Sequence, residues 1–290
     1  MQGSGKYSSA LRLAALILAM VLPTTTAGVF ALANARQEQP RKPHLTPLQL
    51  EIEKQRLRLS SAETEDRREA LTRLGSMHHP EASRVALSAL TDPSPMVRAT
   101  AAASLLSLPA EESAASLLPL LADKDEFVRQ HVAYALGQTR SRTAVAALVD
   151  RLADKKDSVR GSAAVALGQI ADAAAVSSLA AVLNPQSGLT PAKKEKKRKS
   201  EQNPFVLRAA ARSLGQIGDR AGLPALIVVL QDEKAGDDLR REAAIALGAI
   251  GDASAIPALR EALTEPDPYL SQAAHEAIRR IARLQNSSGT

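Results

Sequence analysis

The sequence has no cysteine and no tryptophan, and only three tyrosines and three phenylalanines in 290 residues. Without cysteine there is no disulfide framework, no thiolate metal site, no cysteine nucleophile and no lipid-modified N-terminal cysteine. So few aromatics argue against a β-sandwich, whose strands favour aromatic and β-branched side chains. A basic binding surface is missing too. The formal charge is +6, but residues 1–35 supply two of those charges and residues 184–204 the other four. The remaining chain is neutral, so the high pI implies no basic groove. No Gly-rich phosphate loop, nucleophile elbow or zinc-helix motif occurs. What is present is alanine and leucine, the bulk of a 45% hydrophobic content that suits closely packed helices.

Residues 1–35 read as a secretory signal peptide. Lys6 and Arg12 precede an apolar run over 13–22, and small-residue cleavage sites follow at Ala33-Asn34-Ala35 and Thr25-Thr26-Ala27. The expected location is outside the cytoplasm, in a bacterial periplasm or the extracellular space. The alternative is a membrane anchor over residues 11–33, which approach the length needed to span ~30 Å of hydrocarbon. Residues 36–46 are polar and proline-bearing, a linker. Thr46-Pro47 then opens a helix, with Leu48, Ile52 and Leu59 as its apolar stripe.

From there the chain repeats. EDRREALTRLG, MVRATAAASLL, FVRQHVAYALG, SVRGSAAVALG, FVLRAAARSLG, DLRREAAIALG and YLSQAAHEAIR align on residues 66, 97, 128, 159, 206, 239 and 270. The intervals are 31, 31, 31, 47, 33 and 31. Counting the aligned residue as zero, apolar side chains fall at 0, 4, 7, 8 and 11, one face of a helix. Ser94-Pro95, Asn203-Pro204 and Asp267-Pro268 are helix starts at one register, and Gly218 and Gly251 are helix stops. A second apolar pattern follows in AVAALVDRLAD, AVSSLAAVLN, GLPALIVVLQD and AIPALREALTE. Each unit is thus a helical hairpin that must be covered by its neighbours. The expected fold is all-α: an α-solenoid of about seven hairpins over residues 47–284, with a tail at 285–290.

The motifs VRQHVAYALGQ, VRGSAAVALGQIAD and LRREAAIALGAIGDASAIPAL resemble HEAT repeats, specifically the short HEAT-like repeats of the phycobilisome-lyase type. The resemblance covers about residues 61–284 and implies the fold. Function is not implied, because such repeats occur in enzymes, adaptors and scaffolds alike. Deoxyhypusine hydroxylases are HEAT-like proteins whose His-Glu pairs, following the repeat arginine, hold two irons. Here no His-Glu pair stands in that register, and the one such dipeptide, His275-Glu276, lies three residues later in its unit. No catalytic, cofactor-binding or metal-binding residue is therefore expected. His78-His79 before Pro80 read as a solvated turn.

Arg98, Arg129, Arg160 and Arg240 recur at one position, and Asp92, Asp123, Asp154 and Asp232 shortly before them. Together they suggest a ladder of charge-assisted hydrogen bonds along the stack, broken where Leu207 replaces the arginine. Offsets 2, 6 and 10 of the first helix point away from the apolar stripe, toward the concave side by HEAT-like analogy. They and their neighbours offer Gln130, His131, Tyr134, Gln138, Gln169, Arg208, Arg212, Gln216 and Arg241 to a protein or peptide partner. The insert 184–204, with Lys193, Lys194, Lys196, Lys197, Arg198 and Lys199, reads as a disordered basic loop. Anionic envelope surfaces are its candidate partners, and nucleic acid is disfavoured by the neutral remainder. The sequence thus points to an exported, non-catalytic interaction scaffold without cofactors. A HEAT-like hydroxylase or lyase, or a nucleic-acid binder using the lysine loop, is the alternative. Oligomeric state is not legible.

Overall fold

A computed structural model describes residues 45–183 and 203–288. The leader, most of the linker and the basic insert up to residue 202 lie outside the described residues. Two compact units divide the chain, and the repeats occupy the second, Thr46–Thr290. Among the described residues there is no strand, and no helix is long and apolar enough to cross a membrane.

Helix α1 (Pro47–Arg58) precedes the first hairpin. Thr46 caps it through a reciprocal box, Gln49 N–H to Thr46 Oγ1 and Thr46 N–H to Gln49 Oε1. Six hairpins follow: α2/α3 (Thr64–Ser76, Pro80–Ala86), α4/α5 (Pro95–Ala103, Ala110–Leu117), α6/α7 (Glu126–Thr139, Val145–Arg151), α8/α9 (Asp157–Ile170, Val176–Leu183), α10/α11 (Pro204–Ile217, Leu223–Gln231) and α12/α13 (Asp237–Ile250, Ile256–Glu261). The seventh unit departs from the expected hairpin. It is one helix, α14 (Pro268–Ser288), because Ala282 at offset 12 makes no left-handed turn and nothing breaks the chain there. The residues expected as a tail from 285 continue this helix to Ser288. Asn203 and Pro204 are the cap and first residue of α10, the helix start that their register implies, so the last two residues assigned to the insert belong to the helix.

One turn recurs between the two helices of a hairpin. The residue at offset 12 takes a left-handed conformation in five units: His78, Arg140, Ala171, Gly218 and Gly251, with φ of 48°, 54°, 57°, 75° and 80°. The next residue caps the following helix. Ser141, Asp172, Asp219 and Asp252 each accept from the N–H two positions on, and His79 Nδ1 does the same for Glu81. The His78-His79 pair is therefore this turn in its first copy. In the second unit offset 12 is Pro109, at φ −51°. Proline is locked at negative φ, and α4 ends early, at Ala103.

The core is a row of leucines at offset 8. Leu74, Leu105, Leu136, Leu167, Leu214 and Leu247 are fully buried, each contributing about 1.5–3 kcal/mol of transfer free energy. Beside it, offset 9 decides how closely the long helices stack. A Cβ on Gly137 would meet Ala166 Cα at 2.7 Å, on Gly215 Ala246 Cα at 2.8 Å, and on Gly248 Ala277 Cα at 2.7 Å. Glycine at offset 9 thus receives a small residue at offset 7 of the next unit. Where that residue is serine it also bonds the preceding helix: Ser104 Oγ donates to Leu71 O at 2.9 Å and Ser213 Oγ to Ala164 O at 2.8 Å.

Candidate functional site

Close stacking of α2, α4, α6, α8, α10, α12 and α14 leaves one side of these helices open. Its composition differs from the expectation in one respect. Offset 2 is covered by the neighbouring helix at two positions: Ala99 is 1% exposed, and the ring of Phe205 lies over Gly161 and fills the space of a Cβ there. By contrast, Arg68, Gln130, Arg208 and Arg241 are half-buried. The open rows are offsets 6 and 10, joined by offset −1 at the helix start.

All four aromatic residues in the described solenoid lie on this side. Tyr134 (51% exposed), Phe205 (47%) and Tyr269 (65%) face outward. Phe127 is half-buried against His131, with ring centroids 3.9 Å apart. The imidazole Nδ1 of His131 is also 2.8 Å from Phe127 O, so local packing fixes this histidine. Gln138 and Gln216 are exposed and Gln130 is half-buried. Gln169 folds back over Gly137, its Oε1 buried without a hydrogen-bond partner.

The three arginines expected to meet a partner are engaged within the stack. Arg208 pairs with Asp238 at 3.0 Å, and Arg212 grips Glu242 through two bonds of 2.9 and 2.6 Å. Glu242 is buried, and its carboxylate helps hold the Arg212 guanidinium above its ordinary pKa through the hydrogen bond first and coulombic attraction second. Arg241 lies 2.8 Å from Asp238, 3.3 Å from Asp267, and 5.5 Å from the centre of the Tyr269 ring. Sequence reading missed these acids because Arg208–Asp238 and Arg212–Glu242 are each 30 residues apart. The signal was present: that spacing joins neighbouring units once the repeats are aligned.

A second set of ion pairs runs along the loops that precede the long helices. Arg67 grips Asp92 (2.7 and 3.0 Å), Arg98 grips Asp123 (2.8 and 2.9 Å), and Arg129 grips Asp154 (2.9 and 3.0 Å). Each arginine also donates Nη1 to two carbonyls of its own preceding loop, as Arg129 does to Asp123 O and Lys124 O. Each aspartate accepts from the backbone two residues on, as Asp154 does from Lys156. One guanidinium therefore fastens two successive loops. Burial alone would raise the pKa of Asp92, Asp123 and Asp154. The arginine bonds, the backbone N–H and the nearby positive charge outweigh it and hold all three below the usual range.

The pairing interval is 25 residues, and it accounts for the departures from the expected ladder. From Arg160 it lands in the insert, outside the described residues, and Arg160 instead pairs with Asp157 and donates to Asp154 O. From Asp232 it points back to Leu207, so this carboxylate keeps only its loop bond, to Lys234 N–H at 2.9 Å. From Arg240 it reaches Glu265, which accepts at 2.7 Å, an acid the aspartate pattern overlooked. Among the described residues no three His, Asp or Glu side chains are grouped to hold a metal ion.

The repeated hairpins define a helical-repeat protein. The model of HEAT repeats matches residues 53–137, 117–189 and 196–279, and the chain belongs to the HEAT-repeat family. No curated protein sequence matches it. Among solved structures, the complex of CpcE and CpcF of phycocyanin lyase from Nostoc is 22% identical, covering 86% of this chain and 95% of that one at a TM-score of 0.48. Human deoxyhypusine hydroxylase is 19% identical, covering 80% and 84% at 0.41. An engineered protein is 21% identical, covering 80% and 96% at 0.40. The family assignment rests on the repeats themselves.

Proposed function

We propose that this chain is a non-catalytic scaffold that holds a protein or peptide on the open face of its long helices. The observation that carries the reading is the placement of the aromatics. Tyr134, Phe205 and Tyr269 are all about half exposed or more on one face, while the fully buried core holds aliphatic side chains, with only the half-buried Phe127 packed on its edge. Exposed aromatics are enriched where proteins bind one another, and stacked repeats present long surfaces of this kind. The recruiting residues are Tyr134, Phe205 and the amides Gln130, Gln138, Gln169 and Gln216. Arg208, Arg212 and Arg241 act through their ion pairs, by fixing the surface that the partner meets.

Paired capture from the native host tests this, with the solenoid and its Tyr134→Ala/Phe205→Ala variant as baits. A partner retained by the first and lost by the second supports the reading. Capture indifferent to both substitutions removes it. The export reading of residues 1–35 is a separate proposal, supported by their charge and hydropathy pattern. Intact mass of the protein recovered outside the cytoplasm decides whether the chain begins near Gly28 or Arg36, or retains Met1 as an anchor.

A further inference from the structure

The charge of the open face narrows the partner class. Rows 6 and 10 of α4, α6 and α8 carry no charged side chain. On α10 and α12 the cations are already matched by Asp238, Glu242 and Asp267. An acidic partner would have to take Arg212 from Glu242, stranding a buried carboxylate, which is strongly unfavourable. A basic partner finds no free carboxylate along the middle rows. What remains is aromatic, amide and aliphatic. Tyr134 and Phe205 stand with Gln138, Gln169 and Gln216, and the aliphatic members are Met96, Val165 and Ile245. The hydroxyl of Tyr134 and the side chains of Gln138 and Gln216 make no hydrogen bond within the described chain.

We infer that this face takes an uncharged, proline-rich segment in the polyproline II conformation. The inference rests on the scaffold reading and supplies its partner chemistry. Three physical matches carry it. Stacked helices succeed one another every ~8–10 Å, and a polyproline II helix advances about 9 Å in each three-residue turn. The same ligand face therefore meets each unit, whereas a β-strand, with its period of two, presents alternating faces over that distance. Next, a polyproline II backbone keeps every carbonyl unpaired, and the open amides and the Tyr134 hydroxyl are donors at successive units. A helical partner has spent most of those carbonyls internally. Finally, the glycine contacts at Gly137 and Gly215 close the long helices onto one another, leaving a shallow surface. Flat rings such as Tyr134 and Phe205 suit proline rings there.

Fluorescence anisotropy of the full chain tests this with a labelled peptide of about twelve residues repeating Pro-Pro-Leu, four turns long. Glycine-serine, lysine-bearing and glutamate-bearing peptides of equal length are the comparisons. The proline peptide should bind tightest, with little salt dependence. Tyr134→Ala, Phe205→Ala and Gln138→Ala should each weaken it about tenfold while circular dichroism stays unchanged. Absence of binding, tighter binding of a charged peptide, or variants that bind like the parent would overturn the inference. Selection from a random peptide-display library separates this failure from that of the scaffold reading. Binders of another composition that are lost in Tyr134→Ala overturn the polyproline inference alone. Binders that ignore Tyr134→Ala and Phe205→Ala overturn both.

Discussion

The units before residue 183 and those after residue 203 share one register and one core, yet they are fastened differently. In the first group Arg67, Arg98 and Arg129 clamp successive loops through Asp92, Asp123 and Asp154. In the second the clamp survives only as Arg240–Glu265, and Arg208–Asp238 and Arg212–Glu242 cross the open face instead. Identical hairpins thus tolerate two wiring schemes, because hydrophobic stacking sets the architecture and the ion pairs only secure it. The first scheme is nearly solvent-free and the second partly wet, so their energetic weights differ.

The sharpest way to break the comparison is to remove a clamp from the first group and the unclamped aspartate from the second. Arg129 and Asp154 have side chains only 5% exposed. Arg129→Ala leaves the buried Asp154 only the more distant Arg151, 3.9 Å away, and urea unfolding should show a loss of about 3 kcal/mol. Asp232, exposed and lacking an arginine, should change stability by less than about 0.5 kcal/mol when replaced by alanine. Equal losses would mean that the clamps contribute nothing specific.

Stacking should behave alike on both sides. Gly137→Ala and Gly215→Ala each push a methyl into the backbone of the next helix, and each should cost about 1–3 kcal/mol by overpacking. Gly236, with open space around its Cβ position, is the control. A tolerated Gly137→Ala would show that the helices can slide apart cheaply.

Acid should act more strongly on the first group, whose three lowered carboxyls are nearly buried. In the second group Asp252 and Glu265 are also lowered but more exposed. The carboxyls of Asp92, Asp123 and Asp154 titrate below their ordinary values in the folded chain, so the folded state binds protons less readily than the unfolded one. Their contribution is complete above the unfolded pKa of about 3.9 and is lost as pH falls through the lower folded values. Hydrogen exchange between pH 5 and 2.5 should therefore show α2–α8 losing protection below about pH 4. The Arg129→Ala variant should show a shallower dependence there.

The smallest effect concerns the turn. Ala171 occupies a left-handed position that Gly218 and Gly251 fill elsewhere. A left-handed non-glycine residue is strained by about 1–2 kcal/mol, and glycine's chain entropy offsets part of that gain. Ala171→Gly should raise stability by about 0.5 kcal/mol, and Gly218→Ala should lower it by about as much. Melting temperatures moving the other way would mean that the turn at 171 is held by its neighbours.

Much of this was legible in the chain. The spacing of residues 66, 97, 128, 159, 206, 239 and 270 located the long helices, and the leucines at offset 8 located the core. The aromatic face was half legible. Tyr134 stood out among its polar neighbours, but Phe205 and Tyr269 lie at offset −1, outside the offsets 2, 6 and 10 by which the sequence marks that side. At offset 2 a single-helix projection has no neighbouring helix to cover Ala99 and Gly161, while Gln130, Arg208 and Arg241 keep partly open positions.

What the sequence determined by itself was everything periodic: helix period, repeat length, capping register and the glycine that permits close stacking. These are local preferences copied once per unit, and repetition makes them readable. Which charges meet was decided only by the tertiary structure. Arg67 reaches Asp92 across 25 residues and Arg212 reaches Glu242 across 30, distances along the chain that mean nothing until one hairpin is laid on the next. Ion pairs depend on separation in space to within an ångström or two, and that separation is a property of the stack.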